Sequence, residues 1–215
     1  MHVQHEQNAA FALDGYTRVQ GGARPCVTLN QAGPGASNLL TGLATSYWNH
    51  APVVALTPTV DSHNDGKGVF QELPGQDRVF ADQVKYLGNV TRADRITEIL
   101  GKSLDRAISS QGPTQCNVPR DFFNAEEVYS VPRVVRPRAS PAHGADVGAM
   151  ADLVAGAERP VVLAGAGVGW SEHGEEALRA LADALRAPVA TTYLHNDVFP
   201  AGHPLNARRD SAGTR

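Results

Sequence analysis

Short apolar runs separated by longer amphipathic stretches constrain this chain most, because that alternation marks βα units wound around a parallel sheet. The fold class is therefore α/β. Spacing of apolar residues predicts a helix from Glu6 to about Arg18, a strand over Pro25–Leu29, and a helix over Ala36–Trp48 with Leu39, Leu40, Leu43 and Tyr47 on one face. Pro52–Leu56 reads as the next strand. A polar, glycine-containing loop is expected over Thr57–Gly68, followed by irregular structure through Phe70–Phe80. The regular pattern then returns with a strand near Val84–Leu87, a helix over Arg95–Ser110 and a strand over Thr114–Val118.

From Asn124 to Gly144 the composition shifts to Pro, Arg, Ser and His, and the prolines block regular structure, so this stretch reads as a linker. A second α/β pattern follows. It comprises a helix over Val147–Ala157, a strand VVLAGAG from Val161, a helix over Glu172–Leu185 and a strand PVATT from Pro188. Both ends of the chain read as cut: it opens on a helix that already carries a motif, and its second sheet has only two strand candidates. The balance of 19 Lys+Arg against 22 Asp+Glu, a formal charge of -3, removes the electrostatic footprint of a nucleic-acid binder. No apolar run approaches the roughly 20 residues of a membrane span. Cys26 and Cys116 stand far apart without a C-x-x-C partner, which excludes a zinc ribbon or disulfide scaffold and fits a reducing cytoplasm.

Three words occur in order near the start: His5-Glu6-Gln7-Asn8-Ala9-Ala10, Asp14-Gly15-Tyr16-Thr17-Arg18, and, after a strand, Gly33-Pro34-Gly35-Ala36-Ser37-Asn38. Each alone is common. Glu6 is equally a helix N-terminal acid favoured by the macrodipole, and Gly33-Pro34-Gly35 is equally a tight turn with proline at a helix start. Together, and with Phe70-Gln71-Glu72 and Val118-Pro119-Arg120-Asp121 further on, they resemble the pyrimidine-binding domain of thiamine diphosphate enzymes of the acetolactate synthase type. The resemblance covers His5 to about Pro204. It implies a partial pyrimidine-binding domain over residues 1–123, a linker over 124–144 and the start of a Rossmann-like central domain over 145–215. Gly165-Ala166-Gly167-Val168-Gly169 lacks the G-x-G-x-x-G spacing and reads as structural.

In such a site a carboxyl group bonded to N1' of the aminopyrimidine promotes the imino tautomer that deprotonates the thiazolium C2, so the resemblance makes Glu6 catalytic as well as cofactor-binding. It likewise implies that Gly33, Pro34, Gly35 and Asn38 line the cofactor and that Phe70 packs on its pyrimidine. Gln71, as a neutral amide donor, is assigned to catalysis and to a substrate oxygen. The words YWNHAP (Tyr47–Pro52), GVFQE (Gly68–Glu72) and HNDVFP (His195–Pro200) resemble the sulfoacetaldehyde acetyltransferase group, with Asn49 and His50 on the substrate side; for these two a turn leading into a strand explains the residues as well. That group's activity converts sulfoacetaldehyde and phosphate to acetyl phosphate and sulfite. Two alternatives stand beside it: acetolactate synthesis from pyruvate, and a catalytically inert truncated chain. The histidines show no metal-ligand spacing, and no GDG run, the segment that holds the diphosphate and Mg2+ in this superfamily, occurs in the sequence. The cofactors implied are thus thiamine diphosphate and Mg2+ with the diphosphate and metal ligands outside this chain, the substrate a small molecule, and the assembly a homodimer or homotetramer.

Overall fold

In a computed structural model of the chain, residues 1–22, 24–126 and 142–207 are described. They form two compact units, one on each side of residues 127–141. Most of the expected linker lies outside the described residues.

The first unit is built on four parallel strands, β1 (Cys26–Leu29), β2 (Val53–Thr59), β3 (Tyr86–Asn89) and β4 (Thr114–Pro119), in the order β1-β2-β4-β3. Register sets Val27 beside Val54, Val54 beside Thr114, and Thr114 beside Tyr86. The central pair β2 and β4 is buried along nearly its whole length, as expected of parallel strands covered on both faces. At the edge, β1 alternates instead: Thr28 is buried while Val27 and Leu29 are exposed.

Helices α1 (Glu6–Val19), α2 (Pro34–Asn38) and α3 (Leu40–Trp48) follow from the motif-rich segment. α1 and α3 approach closely because small residues meet: a Cβ built on Gly42 would lie 2.3 Å from the Cβ of Ala10. Leu39 and Leu43 are fully buried, each contributing about 1.5–3 kcal/mol by leaving water. The single helix expected over Ala36–Trp48 is two, because the Leu39 N–H bonds back to the Ala36 carbonyl in a tighter 3₁₀-type turn. α4 (Gln76–Phe80) occupies a stretch expected to be irregular, entered through Gly75 in the left-handed region at φ 65. α5 (Ile96–Ser109) buries Ile99, Ser103 and Ala107, spaced four apart. A Cβ on Gly88 would lie 2.5 Å from Ile99 Cγ2, so the glycine admits α5 against β3.

β2 runs three residues beyond the expected stop at Leu56, through Pro58. The missing N–H is tolerated at the carboxyl end of the strand, and the Pro58 carbonyl accepts a bond from Gln76 Nε2 at 3.1 Å.

The second unit contains α6 (Gly144–Ala155), β5 (Val162–Ala164), α7 (Ala166–Trp170), α8 (Gly174–Leu185) and β6 (Val189–Thr191), with β5 and β6 parallel. VVLAGAG is strand only to Ala164, its last glycine already lying in α7. Ala164, Leu178, Ala182, Val189, Val198 and Phe199 form its core. Val198 and Phe199, from the HNDVFP word, are thus packing residues, 3% and 1% exposed.

Candidate functional site

Two of the three spaced words, the HE and GPG segments, meet at one corner of the first unit. His5 caps α1, its Nδ1 accepting from the Gln7 N–H at 3.2 Å, which sets Glu6 as the first helical residue. Asn38, the last residue of α2, donates its Nδ2 to Glu6 Oε2 at 3.0 Å. That bond is the main reason the Glu6 carboxyl titrates below the usual carboxylate range, so at neutral pH the group is an anion.

Both glycines of Gly33-Pro34-Gly35 are demanded by what faces them. A Cβ on Gly35 would stand 2.9 Å from Glu6 Oε1 and 2.8 Å from the Cβ of Gln31. At Gly33, φ is +62 and a Cβ would come within 2.4 Å of the Gln71 carbonyl oxygen. Gln71 is itself left-handed at φ 67, a conformation uncommon for a residue with a side chain. Pro34 opens α2, where its missing N–H costs nothing. Phe70 is 85% exposed. The fold therefore gathers Glu6, Gly33, Gly35 and Asn38, and brings the backbone of the FQE word against them through Gln71.

The other two expected residues are placed differently. Asn49 is 3% exposed and its Nδ2 faces both oxygens of the buried Asp14 carboxylate at 3.0 and 3.2 Å. Its amide nitrogen thus ties α3 to α1. His50, left-handed at φ 57, is exposed just beyond the end of α3. Single-letter spacing gives no hint that the YWNH word partners the DGYTR word, because the two meet only when α3 lies on α1.

Sequence reading also passed over Glu72 and a set of carboxamides. Glu72 accepts from the backbone N–H of Gly66 and Gly68 at 2.6 Å each and of Val69 at 3.0 Å, and these bonds, the one to Gly66 foremost, lower its pKa. Glycines at 66 and 68 upstream of an acid are the signal that could have found it. Beyond this loop, at the carboxyl ends of β2, β4 and β3, lies a cleft of about 480 Å³. Such ends are where ligands bind in open α/β sheets. Among the described residues no group of three or more His, Cys, Asp or Glu could hold a metal ion.

A parallel sheet whose flanking helices set a helix-start glutamate against a GPG turn is the arrangement that the resemblance to thiamine diphosphate enzymes implies. Residues 1–80 match the thiamine pyrophosphate enzyme N-terminal TPP binding domain and residues 147–214 the central domain, and the chain belongs to this family. It is similar to sulfoacetaldehyde acetyltransferase of Alcaligenes xylosoxydans xylosoxydans, 46% identical over 203 residues that make up 94% of this chain and 33% of that protein. A probable acetolactate synthase large subunit of Methanocaldococcus jannaschii is 38% identical, over 94% of this chain and 35% of that protein. The chain thus spans about a third of the length of the curated relatives it matches. Among solved structures, the thiamine diphosphate-dependent 4-hydroxybenzoylformate decarboxylase of Rhodococcus jostii RHA1 shares the fold, with a TM-score of 0.80 at 23% identity over 94% of this chain and 39% of that one.

Proposed function

We propose that this chain supplies the pyrimidine side of a thiamine diphosphate-dependent acyltransferase that converts sulfoacetaldehyde and phosphate to acetyl phosphate and sulfite. The observation that carries the cofactor side is the fit of Glu6, Asn38 and Gly35, a carboxylate oriented by one amide and left uncrowded by a glycine. When bound, the cofactor supplies a thiazolium C2 nucleophile for the aldehyde. Glu6, kept ionised by Asn38, holds a proton at the pyrimidine N1'. Gly33, Pro34 and Gly35 let backbone approach the ring, and Phe70 covers it. Gln71 offers a neutral donor to a substrate oxygen and His50 stands at the substrate side.

The reading extends to organisation. Residues 1–123 form the pyrimidine-binding domain, 124–144 the linker and 145–215 the central-domain portion of a cytoplasmic homodimer or homotetramer that uses Mg2+. Support for the substrate is the identity to sulfoacetaldehyde acetyltransferases, 46% and 42% for two of them, against 38% for the acetolactate synthase relative.

A chimera tests it, with this segment replacing the corresponding third of the Alcaligenes relative. Sulfite and acetyl phosphate formed from sulfoacetaldehyde plus phosphate are the expected products, and acetolactate from pyruvate alone would overturn the substrate assignment. In the same chimera Glu6→Gln should keep the fold and slow C2 proton exchange by about 10²-fold or more. Unchanged exchange removes Glu6 from the chemistry.

A further inference from the structure

We propose that Glu72 is a positioning residue: its carboxylate, bonded to the backbone of Gly66, Gly68 and Val69, holds the turn that aims Gln71 at the substrate. The role rests on the proposed reaction, in which Gln71 donates to a substrate oxygen. Gln71 stands in a conformation that its surroundings must hold. Its φ of 67 lies in the left-handed region, unfavourable for an L-residue with a long side chain. The Glu72 N–H donates to the Val69 carbonyl at 3.0 Å and closes a four-residue turn in which Gln71 is third, the place usually taken by Gly or Asn when φ is positive. Against this turn lies Gly33, whose missing side chain leaves room for the Gln71 carbonyl. The turn therefore rests on the GPG segment, and Gly35 of that segment faces Glu6.

The two sides of the turn are held differently. Downstream, Gln76 is 5% exposed, and its Nε2 donates to the Pro58 carbonyl at 3.1 Å and to Asn117 Oδ1 at 2.9 Å. Asn117 Oδ1 also accepts from Thr57 Oγ1 at 2.5 Å and Gln115 Nε2 at 3.0 Å, so a buried carboxamide network anchors this side to β2 and β4. Upstream, Gly66 and Gly68 are exposed and left-handed at φ 78 and 69, and a Cβ on either would meet nothing within 4 Å. Packing does not crowd these glycines into place. The Glu72 carboxylate gathers them instead: Oε1 accepts from the Gly66 N–H at 2.6 Å, and Oε2 from Gly68 at 2.6 Å and Val69 at 3.0 Å. Val69 and Glu72 are thus bonded twice, once through the backbone and once through the carboxylate.

The same bonds make Glu72 a poor acid or base. Both oxygens are occupied, and the three donors, Gly66 foremost, keep the carboxyl ionised by lowering its pKa. They also disperse a negative charge that would otherwise repel a sulfonate or carboxylate substrate beside Gln71. Glu72 acts through the turn.

Two measurements test this. In the labelled 215-residue chain, Gln71 should show the strong intraresidue HN–Hα Overhauser effect of a positive φ, and Glu72→Gln should weaken it. An effect equal in variant and wild type overturns the proposal. In the chimera with the Alcaligenes relative, Glu72→Gln should lower kcat/KM about tenfold while C2 proton exchange, which needs no substrate, keeps its wild-type rate. In a Gln71→Ala background the same substitution should change kcat/KM by less than about twofold, because the group it positions is gone. A tenfold loss in both backgrounds, or C2 exchange that falls with turnover, makes Glu72 a general structural residue and overturns the proposal. Gly68→Ala, which strains the clamp at an exposed glycine without altering Glu72, should reproduce the split, and wild-type kcat/KM in both variants overturns the proposal as well. Turnover by the unsubstituted chimera tests the substrate reading itself. Variants are compared as ratios with whichever donor, sulfoacetaldehyde or pyruvate, that chimera accepts, so a wrong substrate and a wrong role for Glu72 give different results.

Discussion

Asp14 shows how one residue can tie two motifs together. It is 5% exposed, receives the Asn49 amide on both oxygens, and has Arg18 Nη1 at 3.9 Å one turn along α1. Removing the amide leaves a buried carboxylate short of a donor, which costs more than the bond itself contributes. Asn49→Ala should therefore lower stability by about 1–3 kcal/mol. Pairing it with Asp14→Asn should recover part of the loss, because the charge is gone, and urea denaturation of the four-member cycle reads the coupling. A loss under about 0.5 kcal/mol for Asn49→Ala would show that the amide does not satisfy the carboxylate. At Glu6 the residue-scale expectation concerns protons. Its pKa is depressed chiefly by Asn38, so the stability it contributes is present above the ordinary carboxylate value and is lost as pH falls through the folded one. Side-chain carbon NMR should place its midpoint below 4.5, and Asn38→Ala should move that midpoint upward. A midpoint unmoved by the substitution would mean that the Asn38 bond is absent in solution.

Among the elements, the loop before α4 depends most on a single side chain. Glu72 gathers the N–H groups of Gly66, Gly68 and Val69, and no other side chain among the described residues bonds to these three amides. Glu72→Gln keeps the shape but loses the charge and one acceptor, so hydrogen exchange at these amides should quicken at neutral pH. Acidification should do the same in the wild type, since the depressed pKa of Glu72 means the clamp is intact above 4.5 and opens as pH drops through its folded value. Amides that stay protected in the variant would assign the loop's order to something else. Element by element, the regular parts were legible because periodicity reports burial: α1, α5 and α8 lie within about two residues of their expected bounds. What escaped was set by neighbours distant in sequence. Pro58 is strand because β4 lies beside it, and α4 is helix because Gly75 turns the chain. The same division holds at the site. The HE and GPG words were readable, since their residue types are forced by close approach, while the Asp14–Asn49 pair and the Gln76 network exist only once helices and strands are packed.

For the whole molecule, the decisive quantity is how much of a cofactor site 215 residues can hold. Glu6 and the GPG turn offer the aminopyrimidine one carboxylate and a glycine-lined approach, a contact of neutral-ring size. Thiamine diphosphate also carries a polyanionic tail. The sequence contains no GDG run, its formal charge is -3, and the described residues include no metal-binding group. Association must overcome lost translational and rotational freedom of at least about 4 kcal/mol, and one hydrogen-bonded ring does little more than offset it. The chain by itself should therefore bind thiamine diphosphate no tighter than about millimolar, with no dependence on magnesium. Calorimetric titration with and without MgCl2 decides this, and oxythiamine diphosphate, in which an oxygen replaces the 4'-amino group, should bind equally poorly. Micromolar binding that requires magnesium would mean that this chain builds a diphosphate and metal site from residues not recognised above, and would move the centre of the catalytic machinery into the 215 residues themselves.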